Sequence, residues 1–221
     1  ESFKIVFDNF DVKKIARYDE NKIEQLMENK DIIRNRRKIV AAIKNHPKRN
    51  RYVAFHPMWG TENSGPKSAQ RESFSGRAAV ICDKEDSAED AFSLVEKVAK
   101  TLEMNTIFMA SEAHDVHTAY ISHISHITSY ALANTVLEKE REEDTIFQLA
   151  STGFSSTVRL AKSHPEMWVP IFKQNKENVL DVLNEHISQL RKFKSALEKE
   201  NYELLEDLIR NANKIRGILD K

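Results

Sequence analysis

The segment "HPMWGTENSGP", residues 56–66, sets a histidine just before two prolines that enclose a threonine, a glutamate and a serine, and includes two of the chain's five glycines. Histidine changes charge near neutral pH, so His56, closing the apolar run "RYVAFH", is a candidate acid or base. Ligands of parallel α/β sheets lie at the carboxyl ends of strands, which predicts a functional place for His56, with Thr61, Glu62 and Ser64 close behind it. A second constellation, "HDVHTAYISHISH", puts His114, His117, His123 and His126 within thirteen residues. On a helix His123 and His126 share a face. The segment has neither an HExxH arrangement nor a nearby cysteine, so no metal site is expected. The recurrence of Ile121, Ile124 and Ile127 predicts instead a buried helix, with Ser122, Ser125 and His126 turned to a polar pocket. A third, "STGFSSTVRLAKSHPEMW", brings an arginine, Arg159, close in sequence to Trp168. Guanidinium presents two parallel donors and suits a carboxylate.

These groups need elements to hold them. "RYVAFH", "RAAVIC" and "NTIFMA" are short β-rich runs. Between the last two lies "SAEDAFSLVEKVAKTL", whose Leu94, Val95, Val98 and Leu102 form one helical face and whose Ser87 and Asp90 are spaced as a capping box. Strand, helix and strand at this spacing predict a βαβ unit with parallel strands. Residues 1–45 read as helices with Asp11 and Asp19 as N-caps, ended by the Pro47 that disfavours helix at His46. Beyond residue 110 the pattern is helical again. Val179, Leu183, Ile187, Leu190 and Leu197 make one stripe, and Leu205, Leu208, Ile209 and Ile215 continue it, stripes that must be covered by each other or by a second chain. "EKEREED", residues 138–144, reads as a solvated helix end.

Composition bounds the rest. Thirty-four basic residues balance 34 acidic ones, so net charge steers the chain toward neither nucleic acid nor membrane. The lone cysteine, Cys82, lies in an apolar run and is expected to be a buried small hydrophobe, with no disulfide framework possible. The absence of a long apolar run or leader predicts a cytoplasmic protein. The stretch 34–51 carries eight Lys or Arg and no acid, the pattern of a phosphate-backbone footprint, but few aromatics are interleaved, which argues against base stacking.

Taken in order, "HPMWGTENSGP", "EAHDVHTAYISHISHITSYALA" and "GFSSTVRLAKSHPEMWVPIFKQNKENV" resemble the prephenate dehydrogenases, oxidoreductases of tyrosine biosynthesis, over about residues 46–195. The resemblance implies oxidative decarboxylation of prephenate to 4-hydroxyphenylpyruvate with NAD or NADP. It implies His56 as the catalytic base that takes the ring-hydroxyl proton. It further implies Thr61 and Glu62 at the pocket mouth, Ser122 and His126 beside the substrate, Arg159 on a substrate carboxylate, and Trp168 as a pocket wall. It implies a homodimer built through the helical region. Trp59, the "SS" before Arg159 and "SHISH" depart from the family's usual residues.

Upstream the family pattern stops. No glycine precedes Gly60, so the Gly-rich turn that cradles a pyrophosphate has no counterpart. Residues about 3–45 resemble instead a helical segment of DNA-3-methyladenine glycosylase I, carried mostly by "IIRNRRKI". The pairing predicts a chimera joined within 36–47. The expected fold is mostly α with a small α/β part: a truncated Rossmann-like remnant of about three strands in βαβ order, followed by an all-helical dimerisation domain and preceded by a helical N-terminal segment. The expected divisions are 1–47, 48–110 and 111–221. Without a dinucleotide fingerprint the chain is expected to be inactive alone. Two other functions compete: a nucleic-acid-binding module using 34–51, and a purely structural helical dimer.

Overall fold

The computed structural model describes residues 36–60, 70, 72–140 and 145–219. Asp11, Asp19, Thr61, Glu62 and Ser64 lie outside them, as do most of the helices expected before residue 45. Among the described residues the chain begins with helix α1 (Arg36–Ile43). Three strands come next: β1 (Ala54–Pro57), β2 (Ala78–Cys82) and β3 (Asn105–Met109), with helix α2 (Glu89–Thr101) between the last two. The strand order is β1-β2-β3. β2 and β3 pair in parallel through α2, as the βαβ pattern requires. β1 pairs antiparallel to β2, with His56 opposite Val80. His56 is therefore not at the carboxyl edge of the parallel pair, and the rule that suggested its role does not apply to its strand.

Alternation along β1 and β2 explains the two cores. Phe55, Ala79 and Ile81 face α2 and pack with Ala99, Met104, Phe92 and Val95. Ala54, Val80 and Cys82 face the opposite way, against Val40 of α1 and Met109. β2 is buried along nearly its whole length, as a central strand covered on both faces should be. Cys82 is buried, as expected. His56 shares its face with Ala54, because side chains two apart on a strand point the same way.

The capping box expected before α2 does not form. The N-cap is Ala88. Ser87 Oγ donates to the Tyr52 carbonyl, and Asp90 pairs with Arg51, so both side chains fasten α2 to the approach to β1.

Beyond β3 the chain is helical: α3 (Ser111–Thr118), a π-helical turn (Ala119–His123) and α4 (Ile124–Glu140) run on in succession. After a 3-10 turn at Ile146–Leu149 come α5 (Thr152–Thr157), a 3-10 turn at Arg159–Lys162, α6 (Pro165–Gln174), α7 (Lys176–Glu198), α8 (Tyr202–Asn213) and α9 (Arg216–Leu219). The wide π turn takes an extra residue and so rotates α4 relative to α3. That changes the face expected from the isoleucine spacing. Ile121 is 66% exposed, whereas His123 and His126 are buried. Among the described residues, no helix is long and apolar enough to cross a membrane.

Candidate functional site

The site is built on the α3–π–α4 rod. His114, on α3, reaches back to the sheet, and its Nε2 lies 2.8 Å from His56 Nδ1. On its other side His114 Nδ1 lies 3.1 Å from Asp115 Oδ1. His114 and Asp115 are each only 3% exposed. The Thr118 hydroxyl donates to the carbonyls of both residues and holds this turn of helix. Asp115 Oδ2 is buried and has no hydrogen-bond partner among the described residues, an uncommon and costly condition for a carboxylate oxygen.

Asn175, at the joint between α6 and α7, connects this cluster to the next. Its Nδ2 donates to the Asp115 carbonyl at 2.7 Å and stands 3.3 Å from His123 Nδ1. Its Oδ1 accepts from Asn178 Nδ2. With Asn175 as donor, His123 must accept and stay neutral. Burial agrees: desolvation pushes its pKa down to about 4, against an opposing pull from Asp115.

His123 meets the edge of Trp168, with ring centroids 6.0 Å apart, and His126 stacks on the same indole at 3.4 Å. His126 Nδ1 donates to the Ser122 carbonyl, which leaves Nε2 as the ring's acceptor. Its pKa is lowered, first by burial and then, more weakly, by the positive charge of Arg159, while the Ser122 carbonyl opposes both. Ser122 thus enters through its backbone.

Arg159 is exposed and opens the 3-10 turn after α5. It lines an open concavity with Ser151, Thr152, Ser155, Ser156 and Lys162. Ser129, only 1% exposed, clamps the backbone on both sides of it: Oγ donates to the Thr157 carbonyl and accepts from the Ala161 amide. The structure therefore joins His126, Trp168 and Arg159 in one neighbourhood, and links them through His123 and Asn175 to His56. Residues that sequence reasoning did not single out are Asp115, Asn175 and Ser129. "EAHD" carried a signal for the first, an acid beside a histidine.

The basic stretch is partly spent on ion pairs. Arg49 bonds Asp86 at 3.0 Å, Arg51 pairs with Asp90, and Arg37 stands 4.0 Å from Glu177. The helix N-terminus after β3 is already occupied, since the Ser111 amide donates to Asp83 Oδ1 at 2.9 Å. Among the described residues no glycine turn joins a strand to a helix as a pyrophosphate cradle would require.

Comparison with known proteins gives two families. Residues 110–211 match the family model of the prephenate dehydrogenase dimerization domain. Residues 1–54 match that of methyladenine glycosylase, a span that runs past the expected 36–47 junction as far as the start of β1. A prephenate dehydrogenase of Bacillus subtilis is 28% identical over 170 residues, covering 77% of this chain and 46% of the relative. A cyclohexadienyl dehydrogenase of Zymomonas mobilis is 25% identical over 165 residues, covering 74% and 56%. The crystal structure of prephenate dehydrogenase from A. aeolicus in complex with hydroxyphenyl propionate and NAD+ superposes with a TM-score of 0.69 at 29% identity, covering 76% of this chain and 59% of that one. The chain is thus similar, through its sheet and helical region, to the dehydrogenases of cyclohexadienyl substrates. It spans about half the length of the curated relatives it matches.

Proposed function

We propose that this chain is the substrate-binding and dimerisation part of a prephenate dehydrogenase, carried behind a glycosylase-derived helical segment in a chimeric protein. In this reading residues 1–47 are the foreign segment, 48–110 the late strands of a nucleotide domain, and 111–221 the substrate and dimer domain. The ligand is prephenate or 4-hydroxyphenylpyruvate. His56 accepts the proton of the ring hydroxyl, because a neutral imidazole is the side chain suited to that transfer near neutral pH. Arg159 holds a carboxylate, Trp168 forms a wall, Ser122 and His126 lie beside the substrate, and Thr61 and Glu62 line the mouth.

The observation that carries the reading is the connected set of polar contacts from His56 through His114, Asp115, Asn175 and His123 to the stacked Trp168 and His126. A purely structural dimer has no use for three buried histidines, His114, His123 and His126, joined by such contacts.

The partner is a second copy of the chain. Leu180, Leu190 and Leu197 on α7, with Tyr202, Leu204 and Ile209 on α8, are exposed in the single chain. The match to a dimerization domain over these helices supports covering them with a like surface. NAD or NADP is the hydride acceptor of the parent enzyme. Since no cradle for it is found among the described residues, we expect no turnover by this chain alone. The test is a spectrophotometric assay of prephenate-dependent NADH formation with the purified dimer. No turnover is expected, and saturable turnover lost in His56→Asn would overturn the incompleteness while supporting the base.

A further inference from the structure

The proposed function gives His56 a task and leaves His114 and Asp115 without one. We propose that His114 and Asp115 are positioning residues that fix which nitrogen of His56 carries the proton. The inference rests on His56 being the group that receives the hydroxyl proton.

The hydrogen bonds are ordered outward from the carboxylate. Asp115 Oδ1 accepts, so His114 carries its proton on Nδ1. A neutral His114 then has its lone pair on Nε2, the atom 2.8 Å from His56 Nδ1. Two lone pairs do not face each other at that distance, so His56 Nδ1 must donate. The lone pair of His56 is thereby placed on Nε2, the nitrogen at the far side of the ring from His114. A base needs its lone pair toward the proton it takes, and an imidazole with the proton on that nitrogen is a donor instead. When Nε2 takes the proton of a ring hydroxyl, the ring becomes an imidazolium, and its Nδ1–H stays bonded to His114. No proton need leave His114 or Asp115.

The surroundings suit this task. Both positioning residues are almost wholly buried, so water has little access to reverse the chain of donors. Among the described residues, Asp115 directs its one satisfied carboxylate oxygen at His114, and its other oxygen has no partner. A carboxylate held so at a cost in stability is expected where orientation of a neighbour matters. The Asn175 donation and the Thr118 hydroxyl lock the backbone of the pair, so the geometry does not depend on the ligand.

The test reads the tautomer directly. Long-range proton–nitrogen correlation spectra of the 15N-labelled dimer at neutral pH report protonated and bare ring nitrogens, with His56 assigned by its loss in His56→Gln. We expect His56 with its proton on Nδ1. In Asp115→Asn the new amide can donate to His114 Nδ1, which moves the His114 proton to Nε2 and that of His56 to Nε2 as well. The inverted ring should also weaken 4-hydroxyphenylpyruvate binding by about tenfold, at the low end of what removal of an orienting partner does. A His56 protonated on Nε2 in the parent overturns the proposal without any variant. So does an unchanged His56 signal in a folded Asp115→Asn. If the parent shows the expected tautomer but no ligand binding, the substrate reading fails and the tautomer assignment stands. If it binds ligand and the tautomer does not invert, the positioning role alone fails.

Discussion

Lowering the pH should destabilise this fold through His123 in particular. The ring is buried between Asn175, Trp168 and Phe172, and desolvation takes its pKa from an ordinary 6.5 down to about 4. The unfolded chain therefore binds a proton over that window that the folded chain refuses, and stability rises with pH where the unfolded state holds more protons. His123 costs the fold nothing above 6.5 and progressively more as the pH falls to 4. At about 1.4 kcal/mol per pH unit the full loss is about 3 kcal/mol, with about 2 kcal/mol already gone near pH 5. His126 shifts in the same direction and acid unfolding has other sources, so the informative quantity is a difference. His123→Gln keeps a side-chain acceptor for the Asn175 amide and has no charge to gain. Urea unfolding of parent and variant, at one protomer concentration and at several pH values between 7 and 4, should give curves that diverge by about 2 kcal/mol near pH 5. Parallel pH dependences would refute the claim that His123 is held neutral by burial.

The geometry sets three further outcomes. Ser129→Ala removes both bonds that clamp the Arg159 turn and leaves the part-buried Thr157 carbonyl and Ala161 amide without this partner, so stability should fall by about 1–3 kcal/mol and the melting temperature with it. Arg159→Ala should keep the helical content by circular dichroism, while weakening 4-hydroxyphenylpyruvate binding in calorimetry by about 1.5–3 kcal/mol, the range of a charge-assisted hydrogen bond. Leu190→Glu combined with Leu197→Glu places charges on exposed positions of α7 and should yield monomers by light scattering with helical content retained, whereas an intact dimer would move the interface elsewhere.

Much of the scaffold was legible because it is periodic. The β2–α2–β3 unit could be read from two apolar runs around one amphipathic helix, and α7 and α8 from their leucine stripes. What escaped was whatever depends on a contact across long sequence separation. The direction of β1 is set by pairing with β2 and not by its own residues, so a rule for parallel strands misplaced His56. The π turn moved Ile121 outward and His123 inward, which no count at 3.6 residues per turn could anticipate. His114 was legible as a histidine among histidines. Its bond to His56, 58 positions earlier, was not, and neither was Asn175 bridging Asp115 and His123. Ser87 and Asp90 had the spacing of a capping box, yet tertiary partners at Tyr52 and Arg51 claimed both. The family motifs named His126, Arg159 and Trp168 together; the fold stacks His126 on the Trp168 indole and lets the Arg159 charge act on His126.

The central claim is that the substrate half of a prephenate dehydrogenase operates as a binding site in this chain. Isothermal titration of the purified dimer with hydroxyphenyl propionate, the ligand of the A. aeolicus complex, tests it most directly. Saturable binding of one ligand per protomer, at least about tenfold weaker in Arg159→Ala, is the predicted result. Absence of binding by the parent, or equal affinity in the variant, would contradict the account.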